Sequence, residues 1–176
     1  MNNIENMEVL LSADQVQSGI AELAEKLNEI YKDEEVYLLC VLKGAVMFMT
    51  DLAKHLTMPV KMEFLTLSSY GSGMTTSGKV KVVDMKLPDL NGKNVIITED
   101  IIDTGITAKF ILDYIKSCYK TKSLKFCSLL NKKSKRQTDI DADYYVFDIE
   151  DKYVVGFGMD IDGNYRNLPY VGYIKQ

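Results

Sequence analysis

The sequence predicts an α/β fold: a doubly wound, mainly parallel sheet flanked by helices. Three observations point there. Short apolar runs of strand length alternate with segments whose apolar residues recur at helical spacing, the pattern of successive β-α-β units. The run Val36 to Leu42 (VYLLCVL) has no charged or small polar residue, as expected of a strand covered on both faces. Polar and charged residues gather where such runs end, and open α/β sheets bind ligands outside the carboxyl ends of their strands.

In chain order, Asp14 to Tyr31 place Val16, Ile20, Leu23, Leu27 and Ile30 at helical spacing, with Ser12 or Asp14 available to cap the start. The strand Val36 to Leu42 ends at Lys43-Gly44, and Ala45 to Leu56 reads as a second helix. A strand over Val60 to Ser68 is expected to turn Met62, Phe64 and Leu65 inward. The stretch Ser69 to Lys79 (SYGSGMTTSGK) offers little to a core, so a long loop is expected there. Strand character resumes over Val80 to Val83, and Leu87 to Lys93 carries turn chemistry. The apolar residues Val95 to Ile97 run into an acidic turn, followed by a helix with Phe110, Ile111, Tyr114, Ile115 and Cys118 on one side. Leu124 to Leu130 is another buried-type strand, ahead of the basic loop NKKSKRQ. Tyr144 to Ile149 and Tyr153 to Phe157 are the last expected strands before an irregular tail.

A length of 176 residues without internal repeat or low-complexity linker predicts one domain, residues 1–176. Hydrophobic residues at 47% and charged residues at 26% are the balance of a soluble globular protein. A net charge of −4 argues against a surface that coats nucleic acid. No apolar run approaches the roughly 18 to 20 residues that span a bilayer, and no secretory signal is visible, so a cytoplasmic protein is expected. Cys40, Cys118 and Cys127 share no metal or redox spacing, which suits reduced thiols. His55 is the only histidine, which excludes multi-histidine metal sites and leaves acid–base work to carboxylates or lysines.

The segment Asn94 to Tyr114, NVIITEDIIDTGITAKFILDY, concentrates the chemistry. A strand delivers Glu99 and Asp100, then Asp103, then the small hydroxyl loop Thr104-Gly105-Ile106-Thr107 at a helix start. Carboxylates accept hydrogen bonds from sugar hydroxyls, and the N–H groups of such a loop and first helical turn cradle a phosphate. An acidic turn with Asp103 as a helix cap would use the same residues. Neither a GxGxxG nor a GxxxxGK[ST] sequence occurs, so dinucleotide and P-loop sites are not supported. DIDGN from Asp160 is not an EF-hand, because the sixth position is Tyr165 and the twelfth Val171.

The segment closely resembles the phosphoribosyl-diphosphate signature of the type I phosphoribosyltransferases. The likeness extends over essentially the whole chain, through LKGAVMFMTDLAKHL, YVVGFGMD and RNLPYVGYIK, to the bacterial-type hypoxanthine (hypoxanthine–guanine) phosphoribosyltransferases. The resemblance implies that Glu99 and Asp100 hold the ribose hydroxyls and, through them, Mg2+. It implies that Asp103 is the general base near N7 of the purine, and that Asp103 to Thr107 wrap the 5′-phosphate. Ile106 stands where some members carry lysine. Lys43-Gly44 would contact pyrophosphate, sometimes across a cis bond, and Ser69-Tyr70 would open a lid, residues 69–79, that closes over it. Lys132 would donate to the purine 6-oxo group, while Lys133, Lys135 and Arg136 would be surface residues. Tyr153 would stack on the base, with the Val154 backbone at its edge. Asp160 would bind a second magnesium and Arg166 the pyrophosphate, although DIDG here departs from the usual family sequence. A small hood from the terminal segments and a homodimer or homotetramer are further expectations.

The implied reaction moves a 5-phosphoribosyl group from phosphoribosyl diphosphate to N9 of hypoxanthine or guanine, giving IMP or GMP and pyrophosphate. A sibling enzyme for xanthine and a nucleic-acid-binding regulator on the same fold are the rival readings. A regulator has no need of a purine-reading lysine or a general base.

Overall fold

Through its described residues, 7–69, 80–84 and 86–175, the computed structural model runs β1 (Met7–Leu11), α1 (Ala13–Tyr31), β2 (Val36–Leu42), α2 (Val46–His55), β3 (Val60–Ser69), β4 (Val80–Asp84), β5 (Asn94–Ile102), α3 (Ile106–Cys118), β6 (Ser123–Asn131), β7 (Tyr144–Asp148), β8 (Val154–Val155) and β9 (Val171–Ile174). Six strands form one sheet in the order β4-β3-β2-β5-β6-β7. The five from β3 to β7 are parallel, and β4 adds an antiparallel edge. The central strand β2 is buried at every position but its last, as its apolar run requires.

Side-chain alternation divides the core in two. Leu38 and Cys40 of β2, Ile96 of β5 and Leu129 of β6 face α1 and α2. Leu39, Val41, Ile97 and Phe126 point the other way, against Ala108, Ile111, Leu112 and Ile115 of α3. Helix α1 begins with a complete capping box, in which Ser12 accepts from the Gln15 N–H and the Gln15 side chain accepts from Ser12. Its buried stripe ends on Tyr31 rather than the expected Ile30, which is 55% exposed. On α3, Ala108 and Leu112 take core positions, while Cys118 is exposed.

The inward face expected for β3 is also corrected. Met62 and Phe64 are 39% and 44% exposed, and Leu65 is the buried residue. Helix α2 packs over β2 and β5, so the same face of β3 lies beyond its cover. Glu99 and Asp100, expected in a turn, are still on β5, because its ladder with β6 continues to Ile102↔Asn131.

The C-terminal tail is not irregular throughout. β9 pairs antiparallel with β1 and with β8, making a second, three-stranded sheet from both ends of the chain. This is the expected hood, and Tyr153 and Val154 belong to it rather than to the main sheet. One close contact ties the hood segment to the carboxyl ends of the parallel strands. A Cβ on Gly158 would lie 1.9 Å from the Gly44 carbonyl oxygen, and Gly158 has φ +100°. Gly158→Ala should therefore cost about 1–3 kcal/mol in strain alone, or roughly 2–12 °C of Tm. Melting unchanged from wild type would mean that this contact is not held in solution.

Candidate active site

The site grows from the end of β5, where successive side chains point to opposite faces. Asp100 turns toward the loop after β2. A Cβ on Gly44 would lie 1.8 Å from Asp100 Oδ2, so only glycine permits this approach. Glu99 turns toward α3 and is 9% exposed. Burial pushes the Glu99 carboxyl well above its ordinary pKa, and the Asp100 charge adds to the effect. Burial also raises Asp100, against the opposing pull of the Ile101 and Asp100 backbone N–H groups and of Arg166, while Asp160 adds to the rise. Two adjacent carboxylates short of water call for donors or a cation from outside.

Beyond them Thr104 and Gly105 make the turn into α3. Gly105 holds φ +81°, a left-handed conformation that suits glycine. No side chain caps α3, in contrast to α1, and Asp103 does not serve as its cap. Among the described residues only the Ile106 N–H finds a side-chain partner, Thr104 Oγ1, at a long 3.4 Å. Glu99, Asp103, Thr104, Gly105 and Thr107 enclose a recess of ≈ 70 Å³ at this helix start. Exposed N–H groups and a helix N-terminus are features that favour an anion.

A second cleft, of ≈ 250 Å³, lies between the main sheet and the hood, and six of the expected residues line it: Asp100, Asp103, Lys132, Tyr153, Val154 and Asp160. Lys132 follows β6 directly, and its backbone N–H donates to the Ile102 carbonyl at 3.0 Å. Its side chain is mostly buried, and its ammonium lies 3.1 Å from Asp103 Oδ2 and 3.8 Å from Asp151. Among the described residues the other Asp103 oxygen, Oδ1, is buried without a hydrogen-bond partner. The cleft thus presents a lysine ammonium paired with a carboxylate whose second oxygen is buried without a partner. Tyr153 is 55% exposed, a large aromatic left facing solvent. A planar ring with a donor and acceptor set along one edge is the complement of a heterocyclic base.

The remaining expected residues stand around these two spaces. Exposed Lys43 follows a cis Leu42–Lys43 bond. Arg166 donates to Asp160 Oδ1 and to the Gly158 carbonyl, both at 2.6 Å, and the Gly163 N–H takes Asp160 Oδ2 at 2.7 Å. Both Asp160 oxygens are thus engaged. Ile106 opens α3 and contributes no polar side chain. Ser69 closes β3, and Tyr70, with the rest of the 70–79 loop, lies outside the described residues. Asp151, Lys152 and Met159 were not anticipated, although the last two line the cleft and Asp151 pairs with Lys132 and Lys135. Their signal was only proximity in sequence to Tyr153. Arg136, expected on the surface, is instead largely enclosed against the 102–103 backbone.

Among the described residues no three His, Cys, Asp or Glu side chains form a metal cage. The available donors at Glu99 and Asp100 are hard oxygens. They fit a cation that takes one or two carboxylates and completes its shell with water and ligand oxygens, as Mg2+ does. A larger cleft of ≈ 390 Å³ opens between α1 and β7 around Gly19, Glu22 and Tyr145, and none of the expected site residues lines it.

Fold and site together define an α/β protein with an uncapped helix start beside a cleft that carries an exposed aromatic ring and a lysine–carboxylate pair. Residues 8–162 match the model of the phosphoribosyl transferase domain, and the chain belongs to the phosphoribosyltransferase family. The hypoxanthine-guanine phosphoribosyltransferase of Streptococcus thermophilus is 42% identical over 168 residues, covering 96% of this chain and 93% of the relative. The hypoxanthine phosphoribosyltransferase of Salmonella typhimurium is also 42% identical, covering 94% of each chain. A crystal structure of a hypoxanthine-guanine phosphoribosyltransferase from Bacillus anthracis, with HEPES in its active site, superposes with a TM-score of 0.89 at 40% identity, covering 96% of this chain and 98% of that one.

The raised carboxyls make a testable statement about stability. The folded state holds a proton on Glu99 more tightly than the unfolded chain does, whose value is near 4.5. Their contribution is therefore fully present below that value and is lost as pH rises through the raised folded-state value. In metal-free protein, Glu99→Gln should raise Tm at pH 8, by about 2–4 °C for each kcal/mol relieved, and should gain little at pH 4. A destabilised Glu99→Gln at pH 8 would contradict the unpaired burial of this side chain.

Proposed function

We propose that the chain is a purine-salvage transferase that moves a 5-phosphoribosyl group from phosphoribosyl diphosphate to N9 of hypoxanthine or guanine, giving IMP or GMP and pyrophosphate. The observation that carries this reading is the Lys132–Asp103 pair, a donor and an acceptor 3.1 Å apart at the edge of the cleft. The recess at the start of α3 beside it suits a 5′-phosphate.

In this reading the 5′-phosphate sits on the backbone of Asp103 to Thr107, and Glu99 and Asp100 accept from the ribose hydroxyls. The base stacks on Tyr153 with its edge at the Val154 backbone. Lys132 donates to the 6-oxo oxygen, whereas the 6-amino group of adenine would meet a second donor, which is the basis of selection. Asp103 takes the proton from N7, N9 attacks C1′, and the C1′–O bond breaks with its electrons leaving on pyrophosphate. Oxocarbenium character grows on the ribose as that bond lengthens. Lys43, Gly44 and Arg166 would supply donors to the growing pyrophosphate charge. Mg2+, when bound, would supply charge neutralisation at ligand oxygens, with Glu99 and Asp100 as its hard-oxygen partners, and Asp160 would serve a second ion only on release of its Arg166 and Gly163 contacts. Ser69 and Tyr70 open a lid that excludes water from the reactive sugar.

One domain, a cytoplasmic location and a homodimer or homotetramer complete the proposal. Three free cysteines support the location, and the exposed Met62 and Phe64 on β3 support self-association. Among the described residues no helix is long and apolar enough to cross a membrane.

Two variants test the roles. Asp103→Asn should lose about 10² to 10⁴ in kcat, the range for a positioned base, while still binding phosphoribosyl diphosphate by calorimetry. Wild-type turnover in that variant would remove Asp103 as the base. Lys132→Ala should lower kcat/KM for hypoxanthine much more than for adenine. Selectivity that stays as in wild type would free Lys132 of the specificity role.

A further inference from the structure

The mechanism above makes no use of Arg136. Its side chain is 13% exposed, and all three guanidinium nitrogens are engaged. Nε donates to the Asp103 carbonyl oxygen at 3.0 Å. Nη2 donates to the Ile102 carbonyl at 3.4 Å and to Oδ1 of the fully buried Asn131 at 2.8 Å. Nη1 donates to the Ile140 carbonyl and pairs with Asp141 at 3.1 Å. Asn131 is itself held by Asp148 of β7, at 2.9 Å. A polar chain therefore runs from the edge strand, through Asn131 and Arg136, to the two carbonyls that precede the Thr104-Gly105 turn. The segment that carries Arg136 grips the turn twice more. The Gln137 N–H donates to the Thr104 carbonyl at 2.8 Å, and a Cβ on Gly105 would lie 2.9 Å from Arg136 Cδ and 2.3 Å from Thr138 Oγ1.

A peptide group turns as a plane, with its carbonyl and N–H pointing in opposite directions. Fixing the Asp103 carbonyl on Arg136 fixes the Thr104 N–H on the other side of the chain. A carbonyl that turned toward the recess would meet a phosphate with like partial charge. We propose that Arg136 is a positioning residue for the phosphate loop, holding the Ile102 and Asp103 carbonyls so that the N–H groups of residues 104–107 stay aimed at the 5′-phosphate. The inference rests on reading that loop as the 5′-phosphate site. Lysine is a poor substitute, because an ammonium lacks the planar fork that spans two carbonyls and an amide oxygen at once.

The test compares wild type, Arg136→Ala, Arg136→Lys and Lys133→Ala in steady-state assays with hypoxanthine and phosphoribosyl diphosphate. Lys133 is an exposed cation of the same loop, and its loss controls for bulk charge. Arg136→Ala should lose about 100-fold in kcat/KM for phosphoribosyl diphosphate, the scale set by a displacement of about 1 Å in a bound substrate. Most of that loss should be in KM, and KM for hypoxanthine should change by less than about threefold, well within the effect of a lost neutral contact. Arg136→Lys should fall between, and Lys133→Ala should match wild type. Added guanidinium should restore part of the Arg136→Ala activity, and methylammonium should not.

If both KM values rise together, with lowered Tm and no response to guanidinium, Arg136 only holds the fold and the inference is overturned. A phosphoribosyl-diphosphate KM unchanged in Arg136→Ala overturns it as well, and leaves the transferase reading intact. Should Arg136→Ala not fold, Arg136→Lys decides by the same split of KM values. Wild type that turns over no 6-oxopurine at all would overturn the transferase reading and this inference with it.

Discussion

Two neighbouring carboxylates at the end of the central part of the sheet carry more charge than their surroundings can solvate. Glu99 is nearly buried, and Asp100 lies against Gly44, where any side chain would collide with it. Their raised affinity for protons reflects a fold that has brought acids together without completing their partners. The surroundings answer only in part. Arg166 favours the Asp100 charge from a distance, but its guanidinium is committed to Asp160. What is missing is what a ribose, with its hydroxyl donors and an attendant cation, can bring. The uncapped start of α3 has the opposite deficit: among the described residues its N-cap supplies no side-chain acceptor, and Ile106 N–H has only a long bond to Thr104 Oγ1. Under the proposed function, one sugar phosphate would answer both deficits.

The other half of the site depends on a meeting of distant segments. Lys132 comes from the end of β6, Asp103 from the end of β5, and Tyr153 from the approach to the hood. Parallel strands deliver the first two side by side, because β5 and β6 stay in register to their last residues. Gly158 of the hood segment approaches Gly44 so closely that a side chain there would collide with the Gly44 carbonyl, and the cleft opens between the two sheets. Chemistry at the cleft thus relies on the docking of a small sheet made from both chain ends.

Much of this was legible from residues alone. β2, β5 and β6 are buried on both faces, so each reads as an apolar run. The segment from Glu99 to Thr107 is local, so its strand, turn and helix start are visible without tertiary information. Failures came where a neighbour decides burial. Met62 and Phe64 look inward by alternation, yet α2 does not extend over β3. Tyr31 replaced Ile30 at the end of a stripe because both lie near its edge. β1 and β9 were missed because each is short and exists only by pairing with the other end of the chain.

The sequence by itself determined the class of fold and the order of its main elements, because those signals are carried by periodicity within single segments, and it marked Glu99 to Thr107 as a local acidic and hydroxyl motif at a helix start. Tertiary structure alone decided that Lys132 pairs with Asp103, that Asp160 is already occupied by Arg166 and Gly163, and that Arg136 is a brace rather than a surface charge. Arg136 sits among lysines in a basic loop, and nothing in that string separates it from them. The difference is geometric: the planar fork of a guanidinium meets carbonyls from a strand more than thirty residues earlier in the chain. Such an encounter is made by packing, and only packing reveals it.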